Sequence, residues 1–302
     1  MLQNRIFISL TVMLVAITAL TGCTKEEQSE MQTAAEHNAI RLTATMLPTR
    51  TVSNLQGTDL SNTTVVGVYG LTDGNTILMN GDNASYRVNS DGSLSATGDA
   101  MMWPAGGSVS IYAYAPRQES WSYASTTKTF TVATNQSDDA GYLNSDLLYA
   151  KATPYTQLSS VGLSFSHKLA RIVLTVTAGA NTLLSDATVK IVGTKTSTAL
   201  TLTDGNISEA SGNLQDIIIG SGITLGKGQG KTLYGVIVPQ SISSENTFIQ
   251  IVTAQKTWKY RLTADNTFLS GKSYSFDVIV NLDQITSTIN GEATEPALIR
   301  QK

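Results

Sequence analysis

The chain has 302 residues and a formal net charge of −3, and charged residues make up 14% of it, well under the ~25% usual for soluble proteins. Without a basic excess it has no field to gather nucleic acid. Its single cysteine excludes an internal disulfide, and six prolines with no long charge block argue against a disordered linker protein.

In chain order, Arg5 comes first, ahead of an apolar run from Ile6 to Leu20. That run is shorter than the ~18 to 20 residues that span a bilayer and suits the core of a signal sequence. Leu20-Thr21-Gly22-Cys23 resembles a bacterial lipobox, so residues 1–22 read as a lipoprotein signal peptide. The resemblance implies a diacylglycerol on the Cys23 sulfur and a further acyl chain on its amine. Two or more chains anchor stably where one does not. The alternative is a transmembrane anchor, or a secretory signal with a chance cysteine.

Residues 24–37 are polar and read as a tether, so 23–50 comprises a tether and one N-terminal strand. In that strand Ile40, Leu42, Ala44 and Met46 alternate with Arg41, Thr43 and Thr45. A period of two predicts one core-facing side. Further β-rich runs are Ile111–Ala115, Leu163–Phe165, Ile172–Val176, Leu233–Val238, Phe248–Val252 and Trp258–Leu262. Tyr274 to Leu282 gives the longest clean alternation. Asp73-Gly74, Asn80-Gly81, Asp91-Gly92, Asp204-Gly205 and Asn290-Gly291 read as turns. Helical periodicity is limited to a short turn near Leu183. Many short strands with regular turns predict β-sandwiches. Ala178 to Asp186 divides the chain into expected domains of 51–182 and 183–302, a common domain size.

No catalytic constellation is present. GxSxG, HExxH and cysteine-ligand patterns are missing, which predicts a protein that is not an enzyme and needs no cofactor or metal. His37 lies in the tether, and His167 follows a strand core and reads as structural. Gly230-Lys231-Thr232 and Gly271-Lys272-Ser273 lack the earlier glycine of a phosphate loop and precede strands, so they read as turns. Asp138, Asp139 and Asp146 lack the spacing of a calcium loop and read as solvated loop acids. Trp103, Trp121 and Trp258 could stack on sugars but read as packing residues.

Trp103-Pro104 followed by Val109-Ser110-Ile111-Tyr112-Ala113-Tyr114-Ala115-Pro116 resembles the fimbrillin family of Bacteroidales. So do Asp146-Leu147-Leu148-Tyr149-Ala150 and Phe165-Ser166-His167-Lys168-Leu169-Ala170-Arg171. The lipobox and the Thr49-Arg50 pair agree in order and position. The resemblance implies an all-β fold of two transthyretin-like β-sandwich domains in tandem, and a role as a structural or accessory subunit of a type V pilus. It further implies transit to the outer membrane as a lipoprotein. An arginine-specific surface protease then removes the N-terminal segment with its first strand. A neighbouring subunit fills the resulting groove, building a head-to-tail polymer at the cell surface.

Under that reading the cut falls between Arg50 and Thr51 and displaces the strand carrying Ile40, Leu42, Ala44 and Met46. Pro48 keeps the approach to the site extended. Arg41 is a second candidate, but a cut there leaves most of the strand in place. An unpaired sheet edge templates another chain's strand, and four medium side chains buried at ~1.5 to 3 kcal/mol each contribute roughly 6 to 12 kcal/mol gross. The family uses C-terminal donors, which points here to residues 283–302 with Ile285, Ile289, Leu298 and Ile299. A C-terminal strand that completes its own sandwich is the alternative for that segment. For the whole protein, the alternative is an uncleaved surface lipoprotein that binds glycans or host proteins through exposed aromatics.

Overall fold

The strand-forming runs pair over long sequence distances. The computed structural model describes residues 38–47, 60, 64–157, 160–282 and 285–292. All of its sheets belong to one compact unit that begins at Ala39. In chain order the elements are β1 (Leu42–Met46), β2 (Val65–Thr72), β3 (Ala84–Val88), β4 (Ser93–Ala96), β5 (Val109–Ala115), β6 (Thr127–Thr131) and α1 (Asp139–Leu143). There follow β7 (Leu148–Tyr155), β8 (Val161–His167), β9 (Ala170–Ala178), β10 (Leu184–Thr201), β11 (Ser211–Leu225) and β12 (Gly230–Ile237). The last are β13 (Gln240–Ile242), β14 (Thr247–Val252), β15 (Thr257–Arg261), β16 (Asn266–Phe268), β17 (Ser273–Val280) and β18 (Ile285–Glu292).

The elements of the described residues are strands apart from α1, and the sheets group around two cores. Seven strands close into a barrel in the order β1-β4-β3-β2-β5-β7-β8. Val66, Val68, Ile111, Ala113, Leu163 and Phe165 fill it. This half of the chain was expected to form a sandwich. Its sheet is closed by β1, which bonds to β4 on one side and β8 on the other and leaves the sheet no free edge. The second core lies between the sheet β11-β10-β14-β15 and the sheet β12-β9-β17-β18, with a small ribbon of β13 and β16 alongside. Strands β6 and β9 lie within residues 51–182 yet pair with strands of residues 183–302.

The two longest strands gave no sequence signal. β10 buries Ala187, Val189 and Ile191, then changes phase and buries Thr194, Thr196 and Thr198. Gly193 sits at the phase change with φ +67, beside irregular pairing with β11. A bulge of this kind breaks the period, and threonine on the inner face hides what remains. Asn290-Gly291, expected as a turn, lies inside β18. Near Leu183 the expected short turn is a tight one, with the Thr182 amide donating to the Gly179 carbonyl at 3.0 Å, and not a turn of helix. α1 starts at its N-cap Asp138, whose side chain accepts from the Gly141 amide.

The turn at Leu202–Asp204 ties the second core to the barrel wall. The Tyr149 hydroxyl donates to the Leu202 carbonyl at 2.7 Å, and Lys151 Nζ donates to the Thr203 carbonyl at 2.8 Å. Gly205 has φ +73, and a Cβ there would run into the Tyr149 ring. The chain can turn this close only because the side chain is missing. Lys168 Nζ lies 5.2 Å from the centre of the same ring, and burial holds its pKa below the usual lysine value.

Candidate functional site

The site is the seam that β1 closes. On its β8 side β1 runs parallel, with Leu42 opposite Val161 and Met46 opposite Phe165. The Val161 amide donates to the Arg41 carbonyl and the Leu47 amide to the Phe165 carbonyl, both at 2.8 Å. On its β4 side only two residue pairs are in register, Leu42 with Leu94 and Thr43 with Ser93. The Ala44 amide adds a bond to the Gly92 carbonyl and the Ile40 amide one to the Met101 carbonyl, both at 2.8 Å. One seam is therefore long and continuous, and the other is short. A groove of ≈ 530 Å³ opens at the short seam, bordered by Ile40, Leu42, Tyr86, Leu94 and Ala96.

The expected alternation holds side chain by side chain. Ile40, Leu42 and Ala44 are buried in the barrel core, Met46 is half-buried against it, and Arg41 and Thr43 point outward. Opposite β1, the turn at Gly92 (φ +79) is braced by Asp91, whose carboxylate accepts from the Ser93 hydroxyl at 2.6 Å and the Ser93 amide at 2.9 Å. Those bonds hold the Asp91 carboxyl below its ordinary pKa. Leu42 and Ile40 together account for most of the burial. With Ala44 and half of Met46, β1 and the Ile40 just before it contribute roughly 5 to 8 kcal/mol of gross apolar burial.

Cys23, Arg50 and Thr51 lie outside the described residues, as do Leu298 and Ile299. Ile285 and Ile289 fall in β18, where Ile285 pairs with Val280 and Ile289 with Phe276 of β17. Ile285 is partly buried against the second core. Arg41 is exposed, but its carbonyl is committed to β8. The structure thus brings Ile40, Leu42, Ala44 and Met46 together at the seam and puts Ile285 and Ile289 in a different sheet.

Three other expectations meet their outcome here. Asp146, read as a solvated loop acid, is fully buried, and its Oδ1 lies 3.0 Å from His167 Nδ1. Burial of a carboxylate requires such a partner, and the partner sits 21 residues away, beyond the reach of a local reading. Gly271-Lys272 forms the turn into β17, as expected, whereas Gly230-Lys231-Thr232, read as a turn, lies inside β12 with Gly230 opposite Thr177 and Thr232 opposite Thr175 of β9; the turn comes just before it, where the Gln229 amide donates to the Gly226 carbonyl at 3.0 Å. Trp103, Trp121 and Trp258 are all buried, and none of the described aromatic side chains is exposed. Trp121 stacks on Tyr114 with ring centres 4.5 Å apart. Tyr114 in turn donates to Asn83 Oδ1 at 2.7 Å, which fixes the loop after β5. Among the described residues no group of three or more metal-ligating side chains converges.

The fold matches solved structures of low sequence identity. A Bacteroides ovatus protein assigned to cell adhesion is 19% identical, with a TM-score of 0.65 over 83% of this chain and 95% of that one. A Bacteroides uniformis protein of the same assignment is 18% identical, with a TM-score of 0.64 over 84% and 97%. One from Bacteroides fragilis is 12% identical, with a TM-score of 0.53 over 87% and 100%. No curated protein matches the sequence. The fimbrillin-like family model matches residues 49–294. The chain belongs to the fimbrillin-like family.

Proposed function

We propose that this chain is a structural or accessory subunit of a surface fimbria of the type V kind, built from two transthyretin-like bodies and not an enzyme. It is exported as a lipoprotein through Cys23, with residues 1–22 as its signal. Cleavage between Arg50 and Thr51 detaches the lipid together with β1. A strand from the next subunit then takes the place of β1, with residues 283–302 the candidate donor.

The observation that carries this reading is the position of β1. It is the strand nearest the N-terminus among the described residues, it closes the barrel, and it fills the barrel with alternating side chains. Its loss would uncover the edges of β4 and β8 with an apolar groove between them. Such an edge accepts a strand by backbone pairing, while alternate side chains fill the pockets. Each joint leaves a free donor and a free acceptor at opposite ends, so the assembly propagates as a fibre. An uncleaved surface lipoprotein that grips glycans would present aromatic side chains, and the buried tryptophans give that reading no support.

The test is mass spectrometry of the mature N-terminus, in polymer sheared from cells and in the membrane fraction. A start at Thr51 in the polymer is the expected result. A start only at acylated Cys23 would overturn exchange through this groove.

A further inference from the structure

Leu214 and Leu269 are 65% and 52% exposed, and both line one groove of ≈ 530 Å³. A single exposed leucine needs no explanation, but two lining the same groove mark a surface that something covers. Pro239, Ile242 and Phe268 line the same groove, and Lys195 and Glu209 stand at its polar margin. One wall is fixed by Gln240, whose Oε1 accepts from the Lys195 amide and whose Nε2 donates to the Lys195 carbonyl, both at 3.0 Å. The opposite wall is the turn into β17, where the Lys272 amide donates to the Leu269 carbonyl at 3.3 Å.

That turn is also where β18 ends. Glu292 pairs with Ser273, the residue after Lys272, so by strand spacing Leu269 lies within about 15 Å of Glu292. After Glu292 the sequence continues Ala293-Thr294-Glu295-Pro296-Ala297-Leu298-Ile299-Arg300-Gln301-Lys302. Six extended residues reach roughly 20 Å, enough to carry Leu298 from Glu292 to the groove. Pro296 lacks an amide hydrogen and cannot continue the pairing of β18 with β17, which favours departure from the sheet at this point. The segment has one apolar stretch, Ala297 to Ile299, flanked by Glu295 and Arg300. The groove likewise has apolar walls with one charge of each sign.

We propose that residues 293–302 dock onto their own molecule in this groove, covering Leu214 and Leu269 with Leu298 and Ile299. This docking stands apart from the fimbrial reading. It bears on it because a docked segment is withheld from any neighbouring subunit.

The experiment uses the full chain carrying Cys23→Ser, so that every thiol is an introduced one. Leu298→Cys is combined in turn with Leu214→Cys, with Leu269→Cys, and with Leu183→Cys. Leu183 is a control, 65% exposed and placed beyond Ala178, the end of β9 opposite Arg171 and Ser273. A disulfide requires Cα atoms within about 7 Å. Mild oxidation followed by non-reducing electrophoresis and peptide mapping should give an intrachain bond at Leu214 or Leu269 at least ~10-fold in excess over Leu183. Equal yields at all three positions would overturn the proposal. Bonds only between molecules would overturn it too, assigning the groove to a second copy's segment. As an independent readout, Leu214→Asp should speed trypsin cleavage after Arg300 by roughly tenfold, because cleavage follows the open population. An unchanged rate would reject docking.

Discussion

His167 and Asp146 meet inside the protein, with Nδ1 of the first 3.0 Å from Oδ1 of the second and neither side chain reaching solvent. The two residues belong to different signature segments, Asp146–Ala150 and Phe165–Arg171, and their contact gives both segments one physical purpose. It fastens the loop after α1 to the end of β8, the strand that forms the long seam with β1. Next along the chain, the buried Arg171 guanidinium lies 4.7 Å from the ring centre of Tyr234 and 6.0 Å from that of Tyr142. Polar and aromatic groups thus sit among the buried aliphatic side chains of Leu147, Leu169 and Ala170 at this point of the chain.

Removing one member of such a pair strands the other in a low-dielectric interior. Asp146→Ala should lower unfolding free energy by about 1 to 3 kcal/mol, read as a shifted urea midpoint at unchanged slope. A loss under about 1 kcal/mol would show that the pair contributes only what a surface contact does.

Leu42 separates the role of β1 before and after the proposed processing. Leu42→Asp puts a carboxylate into the barrel core against Leu94 and Val161, and the intact chain should lose at least ~3 kcal/mol of stability. Chain trimmed to begin at Thr51 no longer contains the residue, so its melting temperature should match that of trimmed wild type. A stable intact variant would mean that β1 is not held in the barrel in solution.

Arg50→Ala should fold as wild type and remain a lipidated monomer on cells. Its processing is read by the mass of the N-terminal peptide and its assembly by electron microscopy of sheared material. Fibres of normal length from this variant would remove Arg50 from the mechanism. Arg41 should stay uncut in the folded chain, because its carbonyl is bonded to the Val161 amide.

Three surface carboxyls set an acid limit on stability. Asp73 accepts from the Ser108 hydroxyl and amide, Asp91 from the Ser93 hydroxyl and amide, and Asp265 from the Ser244 amide and hydroxyl and the Ser243 hydroxyl. Each is held below its ordinary pKa, so the folded chain binds fewer protons there than the unfolded chain. That stabilisation is complete above the unfolded value near ~3.9 and is lost as pH falls through the folded values. The melting temperature should fall below about pH 4, and the triple Asp→Asn variant should show a shallower acid slope. Identical slopes would refute the assignment.

Which faces are apolar is legible in the local order of residues. In β17, Phe276, Val278 and Val280 are buried while Asp277 and Ile279 face out, as period two requires. In β1 and the residues just before it, the same rule placed Ile40, Leu42 and Ala44 inward. Both readings succeed because side-chain direction in a strand is local geometry. Tertiary structure alone decided the partners: β1 parallel to β8, β6 beside β10, and β9 parallel to β17. Pairing joins residues more than a hundred positions apart, as with Leu42 and Val161, and no local pattern encodes it. The burial of Asp146 belongs to the same class, since a carboxylate reads as solvated until its distant histidine is in place. The barrel seam combines the two: its apolar face is written in the chain, and its closure exists only once β4 and β8 stand on either side of β1.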